Sequence, residues 1–337
     1  MKTIKTESKK RTGSLLFFIA LAGTVLSIPV SAQANVIDWT NQSSNQIDAY
    51  NTQTGAQTVV NANAPTSDSL VFANSGNSII YGSNPSTGSN LYLYNISSKT
   101  NTVLASGASL GGANAIRDLA LTPRGNSALV SSFNGSTVNK VNIASGAVST
   151  FTSGYQPQGL AFTPSGNLFL NLGAGIEQIN YQTGKVIQTN FTNGSLDGLT
   201  YNPTTGFLYA TNGTNNILQI DPRNLTEKSI TLSGSGIASP LNLDGIEATQ
   251  NGNLIIANYY NNMLEYYTAS NTTTVVAGNS IANGIDDVAP LVGLGSAISG
   301  APEPGTFALF GTGILLLALF ASQSVKNQSS AKKSIVL

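Results

Sequence analysis

Aspartates recur in this chain just before apolar, strand-like runs: Asp68, Asp118, Asp197, Asp244 and either Asp286 or Asp287, with Gln158 once in the same place. A second polar set closes the runs that follow: Asn171, Asn212 and Asn258, with Ser83 and Ser132 in two further copies. Carboxylate, amide and hydroxyl oxygens gathered at one point suit a hard cation such as Ca²⁺, which takes oxygen ligands. Asp197, Asp244, Asn212, Asn258 and Asp286 are the candidate ligands. A local reading competes with this one, because Asp-Gly is an ordinary turn signal and Asp at a loop-strand junction satisfies backbone amides. Histidine and cysteine are both absent. That excludes disulfides, thiolate metal sites, the usual general base and the serine-hydrolase triad. Paired acids for glycosidase chemistry must face each other across a cleft, whereas Asp286 and Asp287 are strand neighbours aimed to opposite faces. A further cluster, "NYYNNMLEYY", places Tyr259, Tyr260, Tyr266 and Tyr267 on adjacent strands, where they either stack on a sugar or pack a sheet.

The elements that position these residues are repeats. One phrase, strand-turn-strand, recurs as "DSLVFANSGNSIIYGS", "RDLALTPRGNSALVSS", "QGLAFTPSGNLFLNL", "DGLTYNPTTGFLYATN" and "DGIEATQNGNLIIANY". A second, such as "VNKVNIASGAVSTFTS", alternates with it, and a full unit runs roughly 40–49 residues. Gly, Asn and Pro sit where hairpins need positive or preset φ. Each unit reads as a four-stranded antiparallel sheet, and no helical period is sustained between the terminal segments. The opening "VIDWTN" reads as the second strand of a unit that lacks its innermost strand, and "GIDDVAPLVG" reads as an innermost strand with nothing after it. Joining them completes six blades and removes an exposed edge. The expected fold is an all-β, six-bladed β-propeller over residues 35–298, with a seven-bladed ring or a β-solenoid as the alternatives. The repeats resemble the broad NHL, YVTN and gluconolactonase-type propellers. For the gluconolactonase-like members the resemblance implies a divalent ion at one mouth of the central channel, although no glutamate here matches the expected first ligand.

The chain's two ends are addresses. Lys2, Lys5, Lys9, Lys10 and Arg11 precede the apolar "SLLFFIALAGTVLSI" and the small-residue "PVSAQA", the three parts of a signal peptide over residues 1–34. Cleavage is expected after Ala34 or, second, after Ala32; an uncleaved anchor is the alternative. Residues 306–321 form a charge-free apolar run, about 24 Å long as a helix, followed by Lys326, Lys332 and Lys333. This reads as a transmembrane helix with a cytoplasmic basic tail. Pro302-Glu303-Pro304, a glycine-containing apolar helix and a basic tail resemble a PEP-CTERM sorting signal over residues 299–337, which implies export and recognition by an exosortase. The lysines are dispersed where that family usually clusters arginine. A plain C-terminal anchor is the alternative.

Only 9% of residues are charged and the net charge is zero, so no basic field exists for nucleic acid. Two functions remain. The favoured one is a non-catalytic protein of the cell surface or extracellular matrix, transiently membrane-anchored, that binds a surface polysaccharide or protein. The alternative is a calcium-dependent, lactonase-like hydrolase with its site at the channel mouth.

Overall fold

The computed structural model describes residues 36–290, apart from 85–87, 113–114, 192–194, 235–236, 238–240, 260, 279–280 and 283. The expected signal peptide over residues 1–34, the Pro302-Glu303-Pro304 motif and the apolar run 306–321 lie outside the described residues. Among the described residues, no helix is long and apolar enough to cross a membrane.

The chain lays down β1 (Val36–Asn41), β2 (Gln46–Asn51) and β3 (Gln57–Asn61), then four-stranded sheets in simple succession. The second blade is β4 (Ser67–Ala73), β5 (Ser78–Ser83), β6 (Asn90–Asn95) and β7 (Thr100–Ala105). The third is β8 (Ile116–Leu121), β9 (Ser127–Ser132), β10 (Thr137–Asn142) and β11 (Val148–Ser153). The fourth is β12 (Gly159–Phe162), β13 (Leu168–Asn171), β14 (Gly175–Ile179) and β15 (Val186–Phe191). The fifth is β16 (Leu199–Asn202), β17 (Phe207–Thr211), β18 (Asn216–Ile220) and β19 (Glu227–Thr231). The sixth is β20 (Leu243–Ala248), β21 (Leu254–Asn258), β22 (Asn262–Tyr267) and β23 (Thr272–Ala277). Last comes β24 (Ile285–Pro290), which returns to pair with β1 and so completes the first blade as β24-β1-β2-β3. The seam has Ile37 opposite Pro290, Asp38 opposite Ala289 and Trp39 opposite Val288, with a bulge before Asn41 meets Ile285. The first strands β4, β8, β12, β16, β20 and β24 touch one another in a closed circuit around a channel. This is a six-bladed propeller of antiparallel blades, closed by the pairing of β24 with β1 as the repeats require.

Each blade is a sheet buried on both faces, and the core divides accordingly. Six apolar clusters occupy the six spaces between neighbouring blades. Trp39 and Val288 of the first blade pack with Ile255 and Met263 of the sixth, while Ile47 and Ala289 face Phe72 and Ile79 of the second. Burial falls outward along each blade. The second strand β9 is buried throughout, whereas the outermost strand β11 is not.

The Asn-rich composition has a structural cause. The third strand of three blades ends in Asn51, Asn95 or Asn142 and that of two more is followed at once by Asn180 or Asp221, and each side-chain oxygen accepts backbone N–H bonds from the turn. These are Asx turns, which replace lost ladder partners. In the third blade the turn then needs Gly146 at φ +69°, where a Cβ would run into the Leu104 carbonyl of the neighbouring blade.

Candidate functional site

The first strands start at one face of the disc, and their opening residues surround a cavity of about 480 Å³. Asp68, Asp197, Asp244 and Asp286 line it, together with Arg117 and Gln158, so every blade contributes one residue from its inner edge. Gln42, Thr66, Asn84 and Tyr259 complete the wall. Glycine explains how the strands come so close. In "QGL", "DGL" and "DGI" the residue after Gln158, Asp197 or Asp244 abuts the next first strand. A Cβ on Gly198 would sit 2.8 Å from the Asp244 carbonyl oxygen, and one on Gly159 would sit 2.9 Å from that of Asp197.

The mouth carboxyls form a chain. Asp197 hydrogen-bonds Asp244, Asp244 bonds Asp286, and Asp286 bonds Asp68. Two carboxyls can bond each other only when one carries a proton. Burial pushes the carboxyls of Asp197, Asp244 and Asp286 upward, and the mutual repulsion of the acids adds to it. One cation is at hand: Arg117 donates from Nη1 to Asp68 Oδ2 at 3.0 Å while its guanidinium lies over the Phe133 ring. Asn84 donates to the same oxygen at 3.1 Å. Asp286 is only 4% exposed, and its carboxyl is partnered by those of Asp244 and Asp68.

Deeper in the channel, three further acids have a different task. Asp118 accepts from its own strand at Leu119 N and from the fourth blade at Leu160 N. Asp287 likewise accepts from Val288 N at 2.8 Å and from Leu70 N of the second blade at 3.1 Å. Glu247 accepts from Ala248 N at 3.2 Å and from Thr200 Oγ1 of the fifth blade at 2.9 Å, beside a void of about 20 Å³. Each acid ties one blade's inner strand to a neighbour's. Burial outweighs the amide bonds and pushes Asp118 and Asp287 well up, and raises Glu247 to about 7.

Of the expected ligands, the structure brings Asp197, Asp244 and Asp286 to the cavity and places Asn212 and Asn258 elsewhere. Asn212 Oδ1 accepts from Thr214 N and Oγ1 within its own loop. Asn258 accepts from Asn242 N at 2.9 Å and donates to Asn262 Oδ1 at 2.9 Å. The polar residues at the second-strand ends join blades instead: Asn84 Nδ2 donates to the Ile116 carbonyl, Asn171 Nδ2 to that of Asp197, and Thr211 Oγ1 to that of Asp244. Two of the five ligands expected for a divalent ion are thus engaged away from the cavity. Among the described residues no three acidic side chains come together so as to hold a metal ion. Arg117 and Asp68 were not among the sequence candidates as a pair; the signal was "RDL", in which the residue before the repeated Asp is the one that reaches the mouth. Of the tyrosines, Tyr259 lines the cavity, whereas Tyr266 is buried against Asn271 and Tyr267 bonds Glu265. Tyr260 lies outside the described residues.

No protein-family model and no curated protein matches the sequence. Solved structures do match its shape. A chain of the nidogen/laminin complex superposes with a TM-score of 0.62 over 75% of this chain and 97% of that one, at 11% identity. A chain of Kuenenia stuttgartiensis hydrazine synthase gives 0.53 over 69% and 73%, at 15% identity. At such identities the likeness defines the fold class alone, a six-bladed β-propeller.

Proposed function

We propose that this protein is an exported, non-catalytic binding propeller of the cell surface or extracellular matrix, delivered by its signal peptide and sorted through the PEP-CTERM-like segment 299–337. Its ligand enters the carboxyl-lined channel mouth. The observation that carries this reading is the mouth itself. A polar cavity of about 480 Å³ lies within the size range of ligand sites, and it holds recognition groups without a nucleophile-base pair. The neighbour from the nidogen/laminin complex, a propeller found within a binding assembly, is consistent with that role. The hydrolase alternative shares three acids with it, but the two amides it needs are engaged in the loops.

Two assays test the proposal. Fractionation of producing cells should find the protein outside the inner membrane, and deletion of residues 299–337 should abolish its retention at the surface. Co-sedimentation with the cells' own surface polysaccharide should be saturable and weaken when Asp197 and Asp286 are both changed to Asn. Retention of the full chain in the cytoplasm, or polymer binding unaffected by the double change, would overturn it.

A further inference from the structure

Resting on the reading of residues 299–337 as a sorting segment with a membrane helix, we propose that the disc face opposite the mouth docks on an anionic phospholipid surface and so turns the mouth away from it. The zero net charge of the chain conceals a segregation. First strands run from the mouth to the far face, so in every antiparallel blade the first-to-second and third-to-fourth turns lie on that far face. Six of the seven described cations are there. Lys99, Arg124, Lys185 and Arg223 sit in such turns of the second to fifth blades, Lys228 follows at the start of β19, and Lys140 lies near the end of β10 that reaches the same face. Arg117 alone is at the mouth. Five of the six are exposed, and the half-buried Lys140 holds its ammonium over the Tyr181 ring at 5.4 Å. Three acids lie toward this face, and two of them are engaged: Asp221 pairs with Arg223 at 2.6 Å, and Glu265 accepts from Asn253 and Tyr267. The third is Glu227. Cations therefore outnumber acids on the turn face, whereas the mouth holds four carboxyls to one cation.

Chain connectivity selects the occupant. Strand β1 starts at Val36 and β24 ends at Pro290 on this same turn face. Fifteen residues separate Pro290 from the apolar run 306–321, and at full extension they reach about 50 Å at most. A bilayer that holds the run therefore keeps the basic face within that distance, where a tether gives weak contacts a high effective concentration. Each Lys or Arg brought close to an anionic leaflet strengthens attachment roughly fivefold, and the attraction fades beyond a Debye length of about 8 Å at physiological salt. The face from which the tether leaves meets the lipid without the chain passing around the disc. The mouth then points into solvent, where its ligand reaches it.

The test reads which face meets the lipid. The chain has no cysteine, so Gln182→Cys, in an exposed turn of the far face, and Ser44→Cys, in an exposed turn of the mouth face, each create one labelling site. The full chain with a fluorophore at either position is reconstituted into phosphatidylcholine vesicles, with or without phosphatidylglycerol, that carry a spin-labelled lipid as quencher. With phosphatidylglycerol, the label at position 182 should be quenched severalfold more than the label at position 44. That difference should vanish without phosphatidylglycerol, or in about 1 M salt, where the Debye length falls to about 3 Å. Lys99→Glu, Lys185→Glu and Lys228→Glu combined should also remove it. If the triple variant fails to fold, the lipid and salt comparisons with the native charges still decide. Equal quenching at both positions, stronger quenching at the mouth, or quenching indifferent to phosphatidylglycerol and salt would each overturn the proposal. Flotation separates this outcome from the fate of the anchor. A chain that floats with anionic vesicles at low salt, but not with neutral vesicles in about 1 M salt, keeps its docking face and loses the membrane helix. A chain that floats with neutral vesicles at high salt, yet never distinguishes the two labels, keeps the helix and loses the docking face.

Discussion

Replacing Glu247 with Gln should make the protein more stable above neutral pH and leave it unchanged in acid. Burial raises the Glu247 carboxyl from 4.5 to about 7, against the pull of its bonds from Thr200 and Ala248. The folded state therefore holds a proton that the unfolded chain has already released. Stability from this group is complete below pH 4.5 and is lost as pH climbs through about 7. Each pH unit of separation corresponds to ~1.36 kcal/mol, so the full loss approaches ~3 kcal/mol. Glutamine keeps an acceptor for Thr200 Oγ1 and Ala248 N but has no proton to lose. At pH 8 the variant should exceed the wild type by up to ~3 kcal/mol, or roughly 6–12 °C in melting temperature for a domain of this size. At pH 4 the two should coincide. Other raised acids tilt both profiles alike, so the difference between variant and wild type across pH 4–8, from denaturant titrations, isolates Glu247. Parallel profiles would refute the argument.

Three other substitutions probe separate parts of the fold. Asp38 is buried with its neighbour Asp48 close by, and burial first, then that charge, pushes its carboxyl well up; Asp38→Asn should therefore flatten the decline in stability that begins as pH rises above the ordinary carboxylate range, read from the same titrations. Gly198→Ala drives a methyl against the Asp244 carbonyl oxygen and Ile246 N of the next first strand, backbone that cannot swing aside, and should cost about 1–3 kcal/mol by thermal melting. Trp39→Ala empties the seam between the first and sixth blades, where Trp39 is fully buried, and should cost about 3–5 kcal/mol, with faster amide exchange in β24 than in β13.

The fold was legible because its signals are local and repeated. Turn residues at fixed offsets mark every hairpin, and the half-units "VIDWTN" and "GIDDVAP" announce ring closure through β1 and β24. The site was legible in part, for a reason visible in "RDL", "QGL" and "IDD". Near the mouth, adjacent residues of a first strand point alternately to the cavity and to the neighbouring strand, and one position decides which. Asp118 takes the inter-blade place, so Arg117 takes the mouth; Asp286 takes the mouth, so Asp287 bonds Leu70. The second-strand amides could not be sorted from sequence, because Asn is equally competent as an ion ligand and as a partner for nearby polar groups. The structure sorts them: Asn171 donates to the Asp197 carbonyl of the next blade, whereas Asn212 and Asn258 bond within their own blade edges.

The two tiers of acids differ in what compensates them. Asp118, Asp287 and Glu247 each accept a main-chain amide from their own strand and a second bond from a neighbouring blade, so their burial contributes to holding the ring. Burying a carboxyl among other carboxyls costs stability unless hydrogen bonds return it. At the mouth the return takes another form: Asp68 has Arg117 and Asn84, and the chain from Asp197 to Asp286 holds together through protons on its own members. Closure of the ring does not require those side chains, since the third and fourth blades place Arg117 and Gln158 at the same ring and still pack.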